Sequence, residues 1–299
     1  MIRPAARPDT PAACWAFGPP ETEILVRNAE ALLAHLPVFL AGWPFRRVAD
    51  AAGLDPPVEV VERPGGQISV VCAGPAAGGA VFSSAFTAAR GLADALVGAW
   101  LARSGDLICL RAASVRIDRG LVVLMGDSLA GKSSVALHLA ASGHRLFGED
   151  RLALRLVSGS PSVGVCLGLT PRVALPLPPD CGARFAEYVE GFTEMRDADT
   201  AYLKLWEGEA AGFAEEAPVV AFAVLVRRQP GPCGIARAAA TEIAEALQAS
   251  CVPPRSDDGT LARALTALAS RIPAYRLCFS SSRKAAAALT VALRDLPPG

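Results

Sequence analysis

No apolar run in this chain reaches the ~18 residues that a membrane-spanning helix needs, so no membrane partner is expected. Neither sign of charge is in surplus: Lys plus Arg number 29, as do Asp plus Glu, which removes the electrostatic ground for binding nucleic acid or an anionic surface. There is no C-x-x-C pair and no cysteine beside a histidine. The eight cysteines, from Cys14 to Cys278, are scattered in a way that fits buried thiols rather than a zinc site or a disulfide framework. His35, His138 and His144 are too dispersed to suggest metal ligation by sequence alone. The opening MIRPAARPDTPAAC lacks the apolar centre of a secretory signal, and a cytoplasmic location is expected. Charge is sparse at 19%, yet hydrophobic residues make up 52%, which excludes a disordered chain and leaves 299 residues for one large domain or two modest ones.

What the chain does have is concentrated between Leu121 and Arg151. Leu121-Val122-Val123-Leu124-Met125 is an unbroken apolar run, the pattern of a strand covered on both faces. Gly126-Asp127-Ser128-Leu129-Ala130-Gly131-Lys132-Ser133 then satisfies GxxxxGK[ST] at every fixed position, and a helical pattern follows through Ser134, Val135, Leu137 and Leu139 to a C-capping Gly143. Strand, glycine loop and helix stand in the order that phosphate binding requires. The loop's N–H groups can wrap phosphate oxygens, and the helix N-terminus adds partial positive charge. Residues 126–134 are therefore the candidate nucleotide contacts, with Lys132 reaching the β- and γ-phosphates and Ser133 offering its hydroxyl to Mg²⁺.

Around this stretch the chain divides into a flexible tail (1–20), an accessory α+β region (21–104) and a nucleotide-binding domain (105–299), an α/β organisation of mixed type overall. In the first region the pattern predicts a short strand at 24–26, a helix or helix and turn over 28–40 broken at Pro37, and a hairpin over 58–72 turning at Gly65-Gly66. Residues 77–80 read as small and flexible, and a long amphipathic helix spans 84–103. In the second, 107–117 reads as one strand leading through a tight turn into the loop strand. Strands are expected at 145–147, 152–157, 202–205, 219–226 and 276–279, and helices at 183–192, 241–248, 261–270 and 283–296.

Phosphoryl transfer also needs an acid, to hold the metal or take the hydroxyl proton. Glu149 and Asp150 follow the strand at 145–147, with Asp150 eighteen residues beyond Lys132, and are placed for that work. The stretch GDSLAGKSSVALHLAASGHRLFGEDRLAL resembles the kinase domain of bacterial HPr kinase/phosphorylase, which has a glycine-rich loop, a helix, a Gly-His-Arg-Leu turn and a pair of aspartates. Gly143-His144-Arg145-Leu146 and Asp150 match that pattern. The resemblance implies a kinase core related to phosphoenolpyruvate carboxykinase and built on a mixed sheet. It gives Lys132 and Asp150 catalytic roles, Asp150 as the base, and makes Ser133 and Glu149 the metal ligands.

The chain departs from the family at named positions. Leu129 stands where the family has glycine, which predicts loss of a position free to take φ > 0. Glu149 replaces the first aspartate, and Arg111 stands near the family's histidine. The later Glu-x-Arg-Gly segment is not found; Pro171-Arg172 occupies its place. Arg111, Arg172 and His144 are candidate contacts for phosphate or substrate, each alternatively a surface or packing residue. The expected function is an ATP- and Mg²⁺-dependent phosphotransferase acting on a hydroxyl of a protein, peptide or small molecule, with serine of a protein or peptide preferred. A nucleotide-binding regulatory protein with decayed catalysis, or a small-molecule kinase of another phosphate-loop type, remains the alternative. Association into a homo-oligomer is compatible with the apolar composition.

Overall fold

The computed structural model describes residues 13–49, 55–73, 78–118, 120–156, 162–228, 233–252 and 259–293. They form a mixed α/β structure with six α-helices among the described residues, in two compact units, Met1–Gly105 and Asp106–Gly299.

The first unit holds β1 (Cys14–Phe17), β2 (Ile24–Arg27), β3 (Phe45–Val48), β4 (Val58–Glu62), β5 (Ile68–Cys72), β6 (Gly78–Phe82) and α1 (Ala85–Ser104). Its sheet runs β3-β1-β2-β4-β5-β6, with β2 and β4 parallel and the other neighbours antiparallel. The hairpin over 58–72 forms as its pattern predicts, with Gly65 and Gly66 at φ of 80° and 77°. The Ser84 hydroxyl accepts from the Thr87 N–H to cap α1, which buries Leu92, Leu96 and Trp100.

Three expectations are corrected here. The tail does not extend to residue 20, because Cys14–Phe17 is an interior strand with Ala16 and Phe17 fully buried; residues 1–12 lie outside the described residues. Apolar Cys-Trp-Ala-Phe outweighs the Pro/Ala flanks that suggest a tail. The segment 28–40 forms two short 3₁₀ turns, Glu30–Leu32 and Leu36–Val38, since Pro37 supplies no N–H to a longer helix. Gly78–Phe82 is an edge strand rather than a flexible link, because pairing with β5 uses backbone groups and needs no large side chains; Ala77 lies outside the described residues.

The second unit comprises β7 (Leu107–Leu110), β8 (Ala113–Ile117), β9 (Gly120–Met125), α2 (Lys132–Ala141), β10 (Arg145–Gly148), β11 (Leu152–Arg155), β12 (Val163–Val165), β13 (Arg172–Ala174) and α3 (Ala183–Phe192). It continues with β14 (Thr193–Arg196), β15 (Thr200–Leu203), β16 (Glu216–Arg227), β17 (Gly234–Arg237), α4 (Ala240–Ser250), β18 (Cys251–Val252), α5 (Gly259–Arg271), β19 (Ala274–Phe279) and α6 (Ser282–Ala292). The last helix ends at Ala292, short of the predicted 296, of which 294–296 lie outside the described residues.

The long strand β16 is the hinge of the architecture. Its second half runs parallel to β9 on one side and to β19 on the other, while its first residues pair antiparallel with β12. A central sheet β10-β8-β9-β16-β19-β17 results, and β12-β11-β7-β18 extend from it as an antiparallel layer. A small separate sheet, β13-β15-β14, completes the unit.

All six residues of β9 are buried, and they alternate between two cores. Val122 and Leu124 enter the cluster with residues of α2, α3 and α6; Leu121, Val123 and Met125 enter the one with α4 and α5. Two covered faces explain why the run shows no polar alternation. At roughly 1.5–3 kcal/mol per fully buried large apolar side chain, this strand is a principal anchor for the glycine loop at its carboxyl end.

The stretch 107–117 is two strands, not one. β7 pairs with β11 and β18, whereas β8 pairs with β9 and β10, and the chain crosses between layers at Arg111-Ala112. Both strands are mostly buried, and since β8 carries Arg116 within it, Arg111 alone does not mark the crossing. Its consequence is functional, since it leaves Arg111 exposed at the end of the sheet where β9 also ends. No described helix is long and apolar enough to cross a membrane.

Candidate functional site

The turn leaving β9 is shaped by close packing against β16. Gly126 has φ 139°, and a Cβ there would lie 2.6 Å from the Leu225 carbonyl oxygen, so only glycine fits. Gly131, at φ 93°, is the N-cap of α2. Leu129 sits at φ 65° with its side chain 91% exposed. The expectation that leucine would deny the loop a left-handed residue is therefore corrected: the position takes φ > 0 and carries the strain of doing so.

Lys132 folds across the loop, its ammonium donating to the carbonyls of Gly126 at 2.8 Å and Asp127 at 2.9 Å. Burial lowers its pKa, and the carboxylate of Asp150 is the largest influence in the opposite direction. Ser133, in the first turn of α2, donates its hydroxyl to the Glu149 carbonyl at 3.4 Å. That contact joins the loop helix to the acidic pair. Ser134 is half-buried in the same turn, Ala130 is buried, and Asp127 and Ser128 are exposed.

The pair itself is presented by a sharp turn after β10. A Cβ on Gly148 would lie 2.6 Å from the Arg151 carbonyl, so glycine is required there as well. Glu149 is buried, and burial pushes its carboxyl up to about 7 against hydrogen bonding from Ser133. The neighbouring Asp150 charge raises it further, and Arg172 opposes. Asp150 is half-buried and paired: Arg172 Nη2 lies 3.3 Å from its Oδ2, and Arg151 Nε lies 3.8 Å away.

Of the three further candidates, Arg172 thus joins the acidic pair and Arg111 reaches the loop, where it lines a cleft of about 520 Å³ beside it. His144 is brought to neither. It stands beyond the C-terminus of α2, roughly 15 Å along a ten-residue helix from Lys132. There its Nε2 lies 3.4 Å from the Thr290 hydroxyl of α6, and burial lowers its pKa. Of its two expected roles, packing at the helix–strand turn is the one that its surroundings fit, and the role of substrate contact is corrected. Arg145 of the same turn is also structural, clamping Glu215 and donating to the carbonyls of Glu207 at 3.1 Å and Ala210 at 3.2 Å.

Sequence reasoning misses Arg227. Register pairs Val224 of β16 with Met125, so β16 continues three residues past the end of β9 and ends with Arg227 level with the loop. Its Nη1 would lie 3.7 Å from a Cβ on Gly131, and it lines the same cleft as Arg111 and Lys132. The available signal is an apolar run, Val219–Val226, ending in two arginines. In open α/β sheets such a position at a strand's carboxyl end is where ligands bind.

Chemically, the assembly offers loop amides and a helix N-terminus for an anion, with cations from Lys132, Arg111 and Arg227. A carboxylate and a hydroxyl stand beside them. No protein-family model matches the chain. No curated protein matches it either. Among solved structures it is similar to the HPr(Ser) kinase/phosphatase from Coxiella burnetii, with 14% identity over 62% of this chain and 94% of that chain and a TM-score of 0.32. At that level of similarity the functional reading rests on the site's own chemistry.

Proposed function

We propose that this chain is an ATP- and Mg²⁺-dependent phosphotransferase of the HPr-kinase-like kind, moving the γ-phosphoryl group to a hydroxyl, with serine of a protein or peptide as the preferred acceptor. The observation that carries the reading is the contact of Ser133 with Glu149. It sets the acidic pair against the first turn of the loop helix, with Asp150 close enough for its charge to act on Lys132.

In this reading the loop amides and Lys132 neutralise the phosphates. Ser133 and Glu149 supply hard oxygen donors of the type that suit Mg²⁺, which needs few protein ligands when phosphates complete its shell. The buried Glu149 carboxyl fits a cation as neighbour, since its burial is left uncompensated by protein charge alone. Bound Mg²⁺ would draw negative charge from the phosphoryl oxygens. Asp150 takes the proton of the acceptor hydroxyl as that oxygen bonds to the γ-phosphorus and the bond to the β-phosphate oxygen breaks. Arg172 fixes the Asp150 carboxylate in place.

The test has two stages. ATP–Mg²⁺ should raise the melting temperature of the protein, the stabilisation reaching about 2.7 kcal/mol at a hundredfold excess over Kd, and Lys132→Ala should abolish the effect. Incubation with γ-labelled ATP and a lysate of the source organism should then label an acceptor. No stabilisation by any nucleotide would end the proposal. The second reading, a nucleotide-binding regulator without catalysis, is favoured by one observation: Asp150 is already engaged by Arg172. It predicts stabilisation by ATP with no transfer to any acceptor.

A further inference from the structure

The cleft beside the loop has a composition that phosphate does not require. Its floor is Val224 and Val226, alternate residues on the α4-facing side of β16, and its wall includes Ala246 and Ala249, one turn apart on α4. Ala249 is exposed and Ala246 half-buried, so small side chains leave the slot open where larger ones would close it. Arg111 and Arg227 stand at its rim, both exposed, and among the described residues neither has an ion-pair partner. Its volume, about 520 Å³, is within the usual range for a small-molecule site.

Position decides what would fill it. The lining includes Gly126 and Lys132 but none of Ser133, Glu149, Asp150 or Arg172. In the sheet order β10-β8-β9-β16 the turn that carries Asp150 follows β10, on the side of β9 away from β16 and the cleft floor, so a polyphosphate with its terminal group at Asp150 leads back across the loop towards the cleft. An acceptor hydroxyl has to approach Asp150 and would not enter from this side.

Resting on the phosphotransferase reading, we propose that the cleft is the nucleoside site of the phosphate donor. The base lies against Val224 and Val226 between β16 and α4, and the guanidinium of Arg227 or Arg111 covers its exposed face. A cleft with an apolar floor and wall, and with arginines that have no ion-pair partner among the described residues at its rim, suits a planar heterocycle, which combines dispersion against the floor with cation–π stacking at the rim.

The test compares binding of ATP and inorganic tripolyphosphate, both with Mg²⁺, by calorimetry. Wild type should bind ATP at least about tenfold more tightly than tripolyphosphate. Ala249→Phe, a change at an exposed helix position, should cut that advantage to under about threefold while leaving tripolyphosphate within about twofold. Ala246→Leu should act in the same direction and carries the test if Ala249→Phe proves unstable. Binding of neither ligand by wild type would remove the phosphotransferase reading itself. Equal affinity for the two in wild type would overturn this proposal alone. So would variants that keep the full ATP advantage, including the case where only the KM of an acceptor rises.

Discussion

The Arg172 guanidinium stands 3.3 Å from the Asp150 carboxylate, although the two residues belong to different sheets of their unit. Arg172 opens β13 of the small sheet, while Asp150 follows β10 at the edge of the large one. The pair therefore fixes the Asp150 carboxylate, whose other charged neighbour among the described residues is Arg151, while Ser133 holds the same turn at the Glu149 carbonyl. Under the proposed function, Asp150→Asn should lower phosphoryl transfer by about 10²–10⁴-fold while leaving ATP affinity within about threefold, because it removes the proposed base and not the phosphate cradle. Arg172→Gln should cost less, roughly tenfold, by loosening the carboxylate. Single-turnover transfer and calorimetric ATP binding, measured on both variants, check this. A fall in ATP affinity that matches the fall in rate would show Asp150 to be a binding residue instead.

This pairing also shows what can and cannot be read from the chain. The loop, its strand and the acid are legible because each has a local signature: an apolar run, fixed glycines, and an acidic doublet after a strand. The partner Arg172 is reached only through a family's segment order, and its contact depends on a sheet that forms elsewhere in the chain. Arg111 owes its place to a layer crossing within a stretch that reads as one strand, where a lone arginine is no more a break than Arg116 is inside β8. Arg227 depends on the register of β16 with β9, and single-sequence periodicity carries no register information between strands so far apart. His144 misleads for the opposite reason. Its proximity to Asp150 in sequence suggests proximity in space, whereas the strand β10 carries the chain from one end of the sheet to the other between them.

Leu129 offers a test of loop strain. At φ 65° a leucine is disfavoured by roughly 1–2 kcal/mol, and its exposed side chain recovers nothing by packing. Leu129→Gly removes that strain but adds about 0.4–1 kcal/mol of unfolded-chain entropy, so net stability should stay level or rise by up to about 1.6 kcal/mol. Leu129→Val should destabilise, since β-branching makes the left-handed region harder to reach. Denaturant midpoints of the three proteins at constant m-value decide it. A large loss in the glycine variant would mean that Leu129 is held by contacts after all.

Glu149 should make stability fall as pH rises. Its carboxyl is raised from 4.5 to about 7, so between those values the folded chain retains a proton that the unfolded chain releases. The slope contributed is at most about 1.4 kcal/mol per pH unit, with stability greatest below 4.5 and lost as pH passes 7. Glu149→Gln, which cannot ionise, should remove this component and leave the variant more stable than wild type at pH 8. Denaturation curves between pH 5 and 8 read it directly. An unchanged slope in the variant would show that the carboxyl is not desolvated in solution.

His138 should produce a dependence of the opposite sign. Its imidazole is buried in α2 and stacks on Phe185 of α3 with ring centroids 3.9 Å apart, and burial lowers its pKa from 6.5 to about 4. Asp180 resists that shift and Arg283 supports it. The unfolded chain therefore takes up a proton at pH values where the folded one stays neutral. The stabilising contribution is complete above 6.5 and is lost as pH falls towards 4, again by at most about 1.4 kcal/mol per unit. His138→Phe keeps an aromatic ring against Phe185 and removes the titration, so its stability should decline less between pH 6.5 and 4 than that of wild type. Because Glu149 and His138 pull in opposite directions over an overlapping window, the wild-type profile is their difference. The double variant should therefore be nearly flat where each single variant slopes, and a slope that survives in it must come from other groups.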